Sequence, residues 1–172
     1  MNFRWLPALS LLLVAPMAQA ASPAMPGMNM SGQPDTAVEK APAHHFSFGR
    51  PAKATEASRT VEIEMNDMSF SPSSLSVKTG STVTFHIVNK SGIEHEFVLD
   101  TAEGQAKHRQ KMAKMLAQNK SMVHHDPNAV TVAPGTSATL TWTFTKPASL
   151  EYDCNIPGHY ESGMKGELTV SP

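Results

Sequence analysis

Cysteine is the first scarcity. The chain of 172 residues has one, Cys154, so it cannot close an internal disulfide. Charge of either sign is scarce in excess: 14 basic residues stand against 15 acidic ones, a net charge of −1, which excludes a surface built for nucleic acid or another polyanion. Long apolar runs are missing too. The run from Leu6 to Val14 is too short to span a bilayer. A length of 172 residues leaves room for about one domain, which excludes enzymes assembled from several domains of this size.

What is present begins with an export signature. Arg4 precedes the apolar run, and small residues end in Ala18-Gln19-Ala20, so residues 1–20 are expected to be a secretory signal peptide and the protein to be periplasmic, with no membrane span once the leader is removed. Residues 21–58 are rich in Pro, Ala, Gly, Ser and Thr without sustained periodicity and read as a disordered leader. Met25, Met28 and Met30, and then His44 and His45, lie in it as candidate ligands for accessory copper.

Residues 59–172 carry the pattern of a folded domain. Val61, Ile63 and Met65 alternate with polar residues, as do Leu75 and Val77. Val83, Phe85 and Ile87 make one face of a strand and put His86 on the other, at the surface. His95, Phe97 and Leu99 share a face in the next strand. Leu140, Trp142 and Phe144 alternate with threonines, Leu150 and Tyr152 lead to Cys154 on the inward side, and Leu168 and Val170 end the pattern. Residues 102–120 break this rhythm with long unbranched side chains, Glu103 early and Lys114 late, predicting a helix. His108, Met112, Met115 and Leu116 lie on one stripe of it, expected to pack on the sheet. Met122, His124 and His125 follow in a loop and are further candidates for copper. The expectation is an all-β, antiparallel two-sheet sandwich of about eight strands with one helical insertion.

The stretch from Tyr152 to Gly166 holds the chemistry. Cys154, His159 and Met164 follow one another at intervals of five, offering a thiolate, an imidazole and a thioether. Copper accepts these ligands in both oxidation states, and His95 is the candidate for the second imidazole. Zinc fits two of the ligand types, but a thioether argues for copper. An exported chain with a single thiol points the same way, because coordination deprotonates a thiol and protects it.

On these residues the chain resembles a cupredoxin, the Greek-key blue-copper fold, from about Thr60 to Pro172. The Cys-x4-His-x4-Met spacing is similar to that of rusticyanin-like members. The Met-rich leader, the helical insertion and Met122-Val123-His124-His125-Asp126-Pro127-Asn128 resemble the CopI-type periplasmic copper-tolerance cupredoxins. The resemblance implies one type 1 copper, with His95, Cys154 and His159 in a trigonal set and Met164 as the weaker axial ligand. Pro157 and Gly158 would shape the loop so that the edge of His159 nears the surface, where a redox or copper-transfer protein would dock. The resemblance departs at Glu96, where many electron carriers have a small polar residue that ties the two ligand loops together. A carboxylate near the metal would favour Cu(II).

The functional expectation is a monomeric, mononuclear copper protein of copper tolerance with Cu(I)/Cu(II) redox capability. The alternative is a soluble single-electron carrier between respiratory proteins. An enzyme is not expected, since Cys154 and His159 on one loop lack the third orienting group that a thiol hydrolase needs.

Overall fold

The structure, a computed structural model, describes residues 45–120 and 125–172. Its strands are β1 (Gly49–Pro51), β2 (Arg59–Asn66), β3 (Ser69–Ser71), β4 (Ser74–Lys78), β5 (Thr82–Asn89), β6 (His95–Asp100), β7 (Ala129–Val132), β8 (Ser137–Phe144), β9 (Ala148–Asp153) and β10 (Lys165–Ser171). One helix, α1 (Ala102–Ala117), separates β6 from β7. The strands form two sheets, ordered β1-β8-β5-β2-β3 and β4-β10-β9-β6-β7.

Alternation explains the layering. Val61, Ile63 and Met65 of β2, Val83, Phe85 and Ile87 of β5, and Leu140, Trp142 and Phe144 of β8 all point inward and are buried. Phe97, Leu99, Leu150, Tyr152, Leu168 and Val170 meet them from the second sheet. Each such side chain contributes about 1.5–3 kcal/mol by leaving water. The outer face of the first sheet is solvated. Its threonines pair across strands, Thr82 with Thr143 and Thr84 with Thr141, each at 2.8 Å, and His86 lies there beside Glu62 as expected.

The second sheet differs, because α1 covers the outer face of β6 and β9. Residues 95 to 99 are therefore buried on both faces, Glu96 and Val98 as well as His95, Phe97 and Leu99. The helix starts where the side chain of Thr101 accepts from the Gly104 amide at 3.2 Å. It ends at Ala117, just short of the expected 120. Of the expected stripe, His108 and Met112 pack inward while Leu116 is exposed. Gln105 takes the remaining place on the buried face.

Three features depart from the expectation. Ten strands are present among the described residues rather than about eight. Two of them, Gly49–Pro51 and Ser69–Ser71, are three residues long and too short to show periodicity. The β2–β5 and β4–β10 pairings are parallel, because the chain changes sheets between β3 and β5. Folded structure also starts before residue 59. Phe46 and Phe48 pack on Trp142 at ring distances of 5.0 and 5.4 Å, and β1 pairs with β8. These two aromatics fasten a stretch whose composition alone reads as leader. Residues 1–44, with the expected signal, Met25, Met28, Met30 and His44, lie outside the described residues, as do residues 121–124 with His124.

Candidate metal centre

The centre is assembled from two loop systems at one end of the sandwich. The first is the β5–β6 turn, held by the buried Asn89. Its Nδ2 donates to the carbonyls of Ile93 and Val132 at 2.8 and 2.9 Å. Its Oδ1 accepts from the backbone amide and the hydroxyl of Ser91 at 2.9 and 2.8 Å. The turn delivers His95 as the first residue of β6, where the pleat aims it inward and packing leaves it fully buried.

The second system is the β9–β10 loop. Cys154 follows the last residue of β9 and stays on the inward side of the pleat, with no exposure. The chain then turns through Pro157 and Gly158, whose φ of +92° only glycine adopts without strain. The amide of His159 donates to the Ile156 carbonyl at 3.0 Å, and that of Met164 to the His159 carbonyl at 3.0 Å. The Cys154 amide closes the loop by donating to the Met164 carbonyl at 3.1 Å.

These constraints bring three donors together. The Sγ of Cys154 lies 3.2 Å from Nδ1 of His159 and 3.9 Å from Nδ1 of His95. The two Nδ1 atoms are 3.2 Å apart. The ligand atoms of this His95–Cys154–His159 group all lie within 4.8 Å of one another, and no other group of this kind occurs among the described residues. Met164 is fully buried, and its backbone is bonded to both Cys154 and His159. His159 is only partly buried, so the centre is open to the surface on that side alone of the three.

Burial sets the protonation of the metal-free site. It pushes the Cys154 thiol up to about 12, the main cause being desolvation of the thiolate, against which the Glu96 and Ile156 amides pull down. Burial also lowers both imidazoles below their ordinary 6.5, with His159 adding to the effect on His95. A neutral imidazole keeps one ring-nitrogen lone pair, and the Nδ1 atoms of the two rings lie 3.2 and 3.9 Å from the thiol sulfur. A soft cation that replaces the thiol proton fits this donor set, and copper is one that takes imidazole and thiolate together.

Glu96 sits differently from the expectation. Its side chain points away from the centre, to the outer face of β6, where Oε1 lies 3.2 Å from Nε2 of His108. What it offers the centre is its backbone amide, which donates to the Cys154 Sγ at 3.3 Å. The backbone at Glu96 thus links the two ligand loops, without the small polar side chain whose absence the sequence showed. Sequence reasoning missed Gln105, Arg109, Asp153 and Asn155, which lie behind the centre. The available signal was the alternation itself: with Cys154 inward, both of its polar neighbours must face the helix side.

Of the other candidates, His45 and His125 are exposed. Neither belongs to the donor group around Cys154.

A two-sheet sandwich holding a thiol and two imidazoles at one end defines a cupredoxin-type copper protein. The chain belongs to the plastocyanin/azurin family of copper-binding proteins, whose family model matches residues 57–171. It is 41% identical over 160 residues to the copper-resistant cuproprotein CopI of Pseudomonas aeruginosa, covering 78% of this chain and 88% of that one. It is 46% identical over 124 residues to the protein of the same name from Rubrivivax gelatinosus, covering 72% and 73%. Among solved structures, auracyanin B superposes with a TM-score of 0.59 at 27% identity, covering 73% of this chain and 97% of that chain.

Proposed function

We propose that His95 Nδ1, Cys154 Sγ and His159 Nδ1 hold one copper ion, with the Met164 thioether as the weaker fourth ligand, and that the chain is a monomeric, exported copper-resistance protein rather than an enzyme. The observation that carries this is the convergence of three ligand atoms within 4.8 Å of one another. Copper resistance is supported by the two relatives that carry that name at 41% and 46% identity. Export is supported by the residue pattern of 1–20. No helix among the described residues is long and apolar enough to cross a membrane.

Bound copper supplies one-electron chemistry between Cu(I) and Cu(II). The chain's own residues do the rest. The pleat of β6 and the β9–β10 loop hold the donors in one arrangement, so little rearrangement accompanies a change of charge. The Glu96 amide stabilises negative charge on sulfur. Buried His95 shuts water out from one side, while partly exposed His159 gives a redox or copper-transfer partner its approach. That exposed edge also favours a second reading, a single-electron carrier.

The test pairs spectroscopy with growth. Cu(II) added to the purified chain gives an intense visible thiolate-to-copper band that Cys154→Ser abolishes, and cells producing only that variant grow poorly under copper stress. A colourless copper complex overturns the ligand set. Normal growth on copper combined with impaired respiration selects the carrier. Binding of more than one Cu(I), reduced by removing residues 21–44, would assign accessory ions to Met25, Met28, Met30 and His44.

A further inference from the structure

We propose that Arg109 is a positioning residue of the copper site, gripping from outside the sheet the neighbours of two ligands that face inward. The inference rests on Cys154 and His159 being ligands. Because successive residues of a strand point to opposite faces, an inward Cys154 forces Asp153 and Asn155 outward, under α1. There Nη1 of Arg109 donates to Oδ2 of Asp153 at 3.1 Å and to Oδ1 of Asn155 at 3.4 Å. The same guanidinium lies 3.6 Å above the ring of Tyr160, the residue that follows His159. One side chain therefore touches both neighbours of the thiol and one neighbour of the exposed imidazole.

Gln105, one helical turn earlier, completes the grip. It is fully buried, donates through Nε2 to the carbonyls of Val98 and Glu151 at 2.7 and 3.0 Å, and accepts from Asn155 at 2.8 Å. Gln105 thus pins the helix to the sheet, and Arg109 reaches from that fixed base to the loop. The Asp153 carboxylate is fully buried, which makes its bond to a cation costly to lose. A guanidinium can bond two oxygens and lie flat on an aromatic ring at once, whereas an ammonium is a point charge that cannot. What Arg109 contributes is therefore geometry as well as charge.

The experiment compares the full chain with Arg109→Leu and Arg109→Lys. Without metal, the reading is the rate at which a disulfide reagent modifies Cys154. With Cu(II), it is the intensity ratio of the visible thiolate-to-copper bands. Arg109→Leu is expected to speed thiol modification by about tenfold, the scale of one lost charge-assisted hydrogen bond, and to change the band ratio. Arg109→Lys, which keeps the charge and the fold, is expected to change both in the same direction by a smaller factor. Wild-type behaviour of Arg109→Lys in both readings overturns the geometric role, and wild-type behaviour of Arg109→Leu overturns the whole proposal. Should Arg109→Leu fail to fold, Arg109→Lys alone decides. Absence of the visible band in the unmutated chain instead refutes the ligand set, and the thiol rates still report on the grip.

Discussion

Nδ1 of His95 lies 3.2 Å from Nδ1 of His159, although the two residues are 64 positions apart. Two lone pairs cannot rest at that distance without a proton or a cation between them. Burial disfavours a second proton on either ring, so without metal the neutral pair can share one ring N–H across this gap, and a cation in its place would meet both nitrogens, with Cys154 on the third side.

Copper binding should release protons in a predictable number. The Cys154 thiol, pushed up to about 12 by burial, is protonated at neutral pH, whereas both imidazoles, held below 6.5, are already neutral. One proton per Cu(II) is expected at pH 8 to 9, where Asp153, raised to about 7 by burial, is already ionised, and affinity should rise about tenfold per pH unit there. Calorimetry in buffers of different ionisation enthalpy counts the protons. A count of zero would mean that the metal-free thiol is already ionised.

Glu96→Gln should raise the reduction potential, because removing negative charge near the site favours Cu(I). The visible band should stay unchanged, since the amide that bonds sulfur is retained. Voltammetry and absorption on one sample separate the two effects. A changed band would show that the carboxylate shapes the centre directly from its place beside His108.

Asn89→Ala removes four bonds made by one buried side chain. The Val132 carbonyl would be left facing a methyl group and the Ile93 carbonyl would keep only the Ser91 hydroxyl, at a cost on the order of 2–4 kcal/mol in urea unfolding. Copper affinity should weaken as well, because this turn delivers His95. Unchanged stability would mean that water replaces the amide.

Phe48→Ala tests where the folded domain starts. The ring is 2% exposed and lies 5.4 Å from that of Trp142, so its loss should cost about 3–5 kcal/mol. A chain begun at residue 59 should be destabilised at least as much, measured by thermal unfolding. Equal stability would return the boundary to 59.

The parts of this protein legible in its sequence are those governed by local rules. Alternation at Leu140, Trp142 and Phe144 names an inward face because a strand has only two sides. Cys154, His159 and Met164 stand out in the sequence as candidate ligands because few chemistries use those side chains in one loop, and the structure brings the first two together with His95. Gly49–Pro51 was not legible, since its hold on β8 depends on Phe46 and Phe48 meeting Trp142 far along the chain. Arg109 was hidden for the same reason: its partner Asp153 is 44 residues away, and on a helix an arginine looks like solvent-facing charge. Glu96 misled in the opposite sense, because the contact that matters comes from its amide, and backbone groups leave no trace in residue identity.

In the second sheet β10 lies between β4 and β9, so β4 has no neighbour there until β10 arrives. The β9–β10 loop is the hinge of that arrival, and its two ends are clasped only when the Cys154 amide reaches the Met164 carbonyl. The spacing of the donors on that loop is thus held by the pairing of β10 with its neighbours on both sides, and a change that loosens either pairing reaches the metal centre without touching a ligand.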